Sequence, residues 1–264
     1  MRLDLADRVA IVTGGSSGIG YAIARALAQE GAHVVITARR TDILQKAATS
    51  LAAETGRSVI AIETDTTDQV RVDRMVAAVD DKFSRIDVLV NCAAIPGALA
   101  SNRIEELDDG ALLRDLNTKV VGYARCCKAT APFMKRRSWG RIINIGGLTA
   151  REPQALGGLR NVAICHLTKA LSDQLGPHGI TVNALHPGII RSAHLLELLG
   201  AEAKQTGKTL AEVEAEYLAE TPTRRYIEMA EIGTTAAFLA SSAAASITGE
   251  SLGVDGGITR GIYL

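Results

Sequence analysis

The chain has 264 residues, 47% of them hydrophobic but only 3% aromatic, so one large domain can bury a core of Val, Ile, Leu and Ala. Lysine plus arginine equals aspartate plus glutamate at 29 each, which removes the basic excess of a nucleic-acid binder. No apolar run approaches the ~20 residues of a membrane span, the acid-bearing start Met1–Asp7 is unlike a signal peptide, and Cys92, Cys126, Cys127 and Cys165 lack metal-ligand spacing. Together these features read as a reduced, cytoplasmic protein with no metal and no membrane or nucleic-acid partner.

An apolar run, Val9–Val12, predicts the first strand. It leads into Thr13-Gly14-Gly15-Ser16-Ser17-Gly18-Ile19-Gly20, and a helix follows with apolar residues at Ile19, Ile23 and Leu27. Glycines at a strand-to-helix turn let the backbone fold tightly and let a ligand approach it. The helix N-terminus there favours a pyrophosphate, so Gly14, Ser16, Ser17, Gly18, Ile19 and Gly20 are candidate cofactor residues.

Further strands are expected at Val34–Thr37, Val59–Ile62, Val88–Val90, Ile142–Ile145, Thr181–Leu185 and Leu252–Val254. Helices are expected at Gly18–Glu30, Thr41–Thr55, Gln69–Phe83, Ala111–Met134, Val162–Leu175 and Met229–Ala240. Alternating strands and helices predict one α/β domain over residues 1–264, doubly wound around a parallel sheet, with ligands at the carboxyl ends of the strands. The second strand ends Thr37-Ala38-Arg39-Arg40. An acid that would bond the adenosine ribose is missing, and Arg39 suits a 2′-phosphate, so NADP(H) is favoured over NAD(H). Asp65, beside Thr66, either accepts from the adenine amino group or caps a turn. Asn91-Cys92-Ala93-Ala94 closes the fourth strand with small residues that let backbone pass beneath a cofactor; Asn91 is also placed to tie two strand ends together.

The order Thr13-Gly14-x-x-x-Gly18-Ile19-Gly20, Asp65, Asn91-Cys92-Ala93-Ala94, Asn117, Ile142-Ile143-Asn144-Ile145, Lys169, Pro187-Gly188 and Val254-Asp255-Gly256-Gly257 resembles the short-chain dehydrogenase/reductase superfamily along essentially the whole chain. The resemblance implies a seven-stranded sheet ordered 3-2-1-4-5-6-7, a nicotinamide cofactor, and a homo-tetramer or homo-dimer built on the helices around Ala111–Met134 and Val162–Leu175. It implies that Pro187, Gly188, the Ile190 backbone and the Ser192 hydroxyl hold the nicotinamide, with hydride leaving from its B face. It also implies that residues 193–226 form a substrate lid.

In that family a Ser, a Tyr and a Lys carry the chemistry and an Asn holds a relay water. Matching Lys169 to the lysine places Cys165 at the tyrosine position four residues earlier and Gly147 at the serine position. On this matching the catalytic set is Asn117, Lys169 and Cys165, and Leu148–Ile164, with Arg151, Glu152, Arg160 and Asn161, is a long charged loop. Cys165 is then either a substitute acid, its thiol activated by Lys169, or a small buried hydrophobe. Thr149, Arg160, Asn161 or a water chain through Asn117 and Lys169 are other sources of polarisation. His166 points about 100° away from Cys165, and His186 reads as packed. The expected function is an NADP(H)-dependent oxidoreductase acting on a carbonyl/alcohol or activated C=C of a small molecule with a non-standard proton donor. The alternative is an NADP(H)-binding pseudoenzyme that acts as a sensor or scaffold.

Overall fold

The computed structural model describes residues 3–95, 103–151 and 156–261. Glu152 of the charged loop and the apolar tail from Ile262 to Leu264 lie outside them. Seven parallel strands form one sheet: β1 (Val9–Thr13), β2 (His33–Ala38), β3 (Val59–Glu63), β4 (Val88–Asn91), β5 (Gly140–Ile145), β6 (Ile180–Pro187) and β7 (Ser251–Val254). Their order is β3-β2-β1-β4-β5-β6-β7, as expected. The chain crosses from β3 back to β4 beside β1, and a crevice opens at that switch point above the strand ends.

The helices are α1 (Gly18–Gln29), α2 (Thr41–Thr55), α3 (Gln69–Phe83), α4 (Asp109–Leu116), α5 (Gly122–Arg136), α6 (Gly158–Leu175), α7 (Ala193–Thr206), α8 (Leu210–Ala219) and α9 (Met229–Leu239). They cover both faces of the sheet. One face packs Ile23, Leu27, Leu44, Leu51 and Ile232 against Val12, Val34 and Val90. The other packs Val72, Met75, Cys126 and Met134 against Ile11, Val35 and Ile142. Successive side chains alternate across a strand, so each apolar strand feeds both cores.

Two expectations about helices are corrected. The helix predicted over Ala111–Met134 is interrupted by a π turn at Asn117–Val121, between α4 and α5. The helix predicted from Val162 starts at Gly158, so the loop before it is shorter than the sequence matching required. Glycine near a helix start hides the boundary from periodicity, because it carries no apolar signal. In the lid region Leu195 joins Leu199, Ala203 and Val213 in a small core of its own, while Leu198 is exposed.

Candidate active site

The first turn is built around close approaches. Gly14 has φ +68, and a Cβ there would sit 3.0 Å from the Ala93 backbone. A Cβ on Gly20 would lie 2.3 Å from Gly14 O, so α1 can start this near the strand only with glycine. Gly18, at φ +58, is different: a Cβ there would meet no atom within 4 Å. Its bare backbone faces open space, the cradle that a phosphate at a helix N-terminus needs. Thr13 Oγ1 accepts from Cys92 N (3.0 Å) and Ala93 N (3.2 Å) and so binds the β1 and β4 ends into one floor.

A cleft of about 790 Å³ runs over this floor, bounded by the Gly14–Gly20 turn, Ala38–Arg40, Thr64–Thr66 and Cys92–Ala94. Arg39 and Arg40 are both exposed at its adenosine end. Asp65 lines the cleft, but its Oδ1 accepts from Thr67 N (2.9 Å) and Thr67 Oγ1 (2.7 Å), a turn-capping role. Those hydrogen bonds outweigh burial and hold its carboxyl below the usual range. Asn91 does tie strand ends: its Nδ2 donates to Asn144 Oδ1 at 2.9 Å. Ser192 spends its hydroxyl as the N-cap of α7, accepting from Leu195 N at 3.1 Å. Ile190 borders a second cavity of about 530 Å³ that meets the first at Gly18. Pro187 ends β6, and Gly188 lies so close to Asp255 that a Cβ would approach its Cα to 2.5 Å.

The reaction centre departs from the sequence matching. Lys169 is exposed, and its Nζ lies beside Gly249. Gly249 N donates to Val182 O, near the start of β6 and away from the strand ends that carry the cleft. Asn161 stands eight residues earlier on α6, roughly 12 Å nearer the cleft at 1.5 Å per residue. Asn117 also turns elsewhere: its Oδ1 accepts from Arg125 Nη1 at 3.0 Å. Residues two apart on a helix point in nearly opposite directions, so Lys119 faces inward instead. The Lys119 Nζ donates to Gly146 O and to Asn161 Oδ1, both at 2.9 Å. Lys119 is 4% exposed and Asn161 2%. Burial, with the Arg160 guanidinium nearby, lowers the Lys119 ammonium to a pKa of about 8.

Asn161 Nδ2 in turn donates to Thr149 Oγ1 at 2.7 Å, and it would lie 2.8 Å from a Cβ on Gly147. Arg160 is paired with Asp115 at 2.5 Å and is not left to polarise a substrate. Cys165 Sγ sits 3.5 Å from His186 Nε2. His186 Nδ1 lies 3.2 Å from Gly147 N and 3.0 Å from its carbonyl oxygen. Burial depresses the imidazole pKa. His166 is exposed, as its angular offset from Cys165 required. Tyr123 is 1% exposed and gives its phenol to Ile145 O at 3.1 Å. Tyr21 and Tyr226 bond to Glu54 and Glu214. Sequence reasoning missed Lys119 because a lone lysine between Thr118 and Val120 in a helical stretch looks like any solvated side chain. The apolar run Val120-Val121 after it was the available hint of burial.

Among known proteins, a family model described as Enoyl-(Acyl carrier protein) reductase matches residues 14–259. The NADPH-dependent reductase BacG of Bacillus subtilis (strain 168) is 32% identical over 98% of this chain and 100% of its own length. The crystal structure of L-sorbose reductase from Gluconobacter frateurii, complexed with NADPH and L-sorbose, superposes with a TM-score of 0.90 at 30% identity, covering 99% of this chain and 100% of that one. An NAD+-bound xylitol dehydrogenase superposes at 0.88 with 28% identity over 96% and 100% of the two chains.

Proposed function

The chain belongs to the short-chain dehydrogenase/reductase superfamily, and from that premise we propose that it is an NADP(H)-dependent oxidoreductase. Its substrate is a carbonyl/alcohol pair or an activated C=C bond of a small molecule, and its proton donor is not the family's tyrosine. One observation carries this reading: a cleft with a glycine cradle at one end, two exposed arginines after β2 with no acid at that strand's end, and Thr118 in its wall, next in sequence to the buried ammonium of Lys119. Arg39 and Arg40 match the 2′-phosphate that separates NADP(H) from NAD(H). When bound, the dihydronicotinamide supplies the hydride.

In the family the Tyr and Lys stand four apart on one helix face. With Asn161, not Lys169, beside Gly147, the position four residues earlier is Gly157. Among the described residues, a Cβ at Gly157 would meet nothing within 4 Å. This supports a centre with glycine at both hydroxyl positions, 147 and 157, and with Asn161 on the lysine's face. Hydride proximity to a held substrate still supplies part of the acceleration.

The lid of α7 and α8 rests on its own small core, and Glu214 ties it to the segments on either side, taking Tyr226 Oη at 2.8 Å and Arg191 Nε at 3.3 Å. That arrangement suits a cover moving as one body. The protein acts in the cytoplasm as a homo-tetramer or homo-dimer through α4, the π turn, α5 and α6, where Leu113, Val121, Leu159 and Val162 are exposed.

The reading is tested by titrating the protein with NADPH and NADH by fluorescence, then following NADPH oxidation over a panel of ketoses, diketones, quinones and enones. Binding of NADPH with turnover of at least one acceptor is expected. Tight NADPH binding without any turnover would favour the sensor or scaffold, which draws on the spent phenol of Tyr123.

A further inference from the structure

We propose that Lys119 supplies the ammonium of the reaction centre and is the acid that protonates the substrate, with Asn161 as the residue that positions it. The inference deepens the reductase reading and rests on it. Two helices make the site. The π turn at Asn117–Val121 delivers Lys119 from between α4 and α5, and α6 delivers Asn161 to meet it. The two partners of Nζ, Gly146 O and Asn161 Oδ1, are both acceptors. An ammonium has three N–H donors, and among the described residues two are engaged. A neutral amine keeps two N–H groups, so both bonds survive when the third proton leaves. The site therefore holds the conjugate base as well as the acid, which is what a proton donor needs and a structural tie does not.

Glycines flank this pair: Gly147, two residues past β5, where a Cβ would lie 2.8 Å from Asn161 Nδ2, and Gly157, the N-cap of α6, where a Cβ would meet no atom of the described residues within 4 Å. The charged and titratable groups facing Lys119 come from every neighbouring element. Arg160 and Cys165 lie on α6, Asp115 on α4, Cys92 after β4 and His186 on β6. Asp115 is 1% exposed and committed to Arg160, so it leaves Lys119 without a carboxylate of its own. Burial pushes the Cys92 thiol up to about 12, which keeps it protonated. The Lys119 ammonium, at about 8, is an acid whose pKa lies near the working pH.

The step balances simply. In ketone reduction the carbonyl carbon takes the hydride and its electron pair, the C=O π bond breaks, and the oxygen takes a proton from Nζ. The products are an alcohol, oxidised nicotinamide and a neutral Lys119, which recovers its proton from water. The ammonium has donors only and so takes the oxygen of the Asn161 amide, while Thr149 Oγ1, on the far side, accepts from the amide nitrogen.

The test compares wild type with Lys119→Gln, because a glutamine amide also carries two N–H donors and no transferable proton. Lys119→Gln is expected to melt cooperatively and to bind NADPH within threefold of wild type, while kcat for whichever panel acceptor is reduced falls about 100-fold or more. Wild-type kcat should fall above pH ~8 as the ammonium deprotonates, and that limb should be absent in Lys119→Gln. A readout independent of turnover is the 13C spectrum of protein labelled at lysine Cε. The signal lost in Lys119→Gln should titrate near pH 8 and shift when NADP+ is added. Equal kcat in both proteins, or a lysine signal blind to NADP+, overturns the inference and leaves the reductase reading standing. Wild type that binds NADPH yet reduces nothing overturns that reading, and the donor role falls with it.

Discussion

A buried ammonium makes stability depend on pH in a direction opposite to a salt-bridged lysine. The folded Lys119 has a pKa near 8, against about 10.4 for an unfolded lysine. Below pH 8 both states carry the charge, and the fold bears the whole desolvation cost. Between 8 and 10.4 the unfolded chain binds more protons, so stability rises with pH. Relative to Lys119→Gln, wild type should gain on the order of 3 kcal/mol across that window. Urea unfolding of both proteins at pH 7 and pH 10 measures it, and a constant difference would mean the amine is not desolvated. Arg39 is argued at the same scale. One charge-assisted phosphate contact is worth about 1.5–3 kcal/mol, so Arg39→Asp should weaken NADPH and improve NADH until the affinity ratio reverses. An unchanged ratio in fluorescence titrations would move the 2′-phosphate to Arg40 or elsewhere.

At the scale of elements, β5 and β6 are fitted to each other through two glycines and one imidazole. A Cβ on Gly146 would come within 2.4 Å of His186 Cε1, so the ring occupies the volume that a side chain at 146 would take. Gly146→Ser should therefore destabilise by roughly 1–3 kcal/mol through overpacking, and His186→Ala in the same chain should return most of it. A double-mutant cycle by urea unfolding reads the coupling; additive effects would mean the ring moves aside freely. The π turn belongs to this scale as well. It inserts one register shift into a helix and so sets which of Asn117 and Lys119 looks inward.

For the whole molecule, the sheet order brings the ends of β1, β4, β5 and β6 together, so one end of the domain carries the cleft and the proposed reaction centre. The opposite end holds structural charge. Asp87 is fully buried and accepts from Arg8 at 3.2 Å and from Arg85 at 2.7 and 2.8 Å. The outer face of α4 and α6 carries exposed Leu113, Leu159 and Val162, which the proposed oligomer would cover. Val162→Glu and Leu113→Glu together should lower the mass measured by light scattering from an oligomer to a monomer. An unchanged mass would place the interface on other helices.

The sequence alone determined the strands, their alternation with helices, the glycine cradle and the arginine after β2. Each of these is local: a hydrophobic period, a bare backbone at a turn, a missing acid at a strand end. It also determined that a tyrosine is absent from the stretch between Tyr123 and Tyr217. It misled at Lys169, because a lysine four residues after a cysteine fits a helical spacing wherever it lies along the helix. Only the tertiary structure decided which turn of α6 faces the strand ends, since axial position depends on packing between elements and leaves no local trace. The same holds for Lys119, a charge held in the interior by partners distant in sequence, Gly146 after β5 and Asn161 on α6.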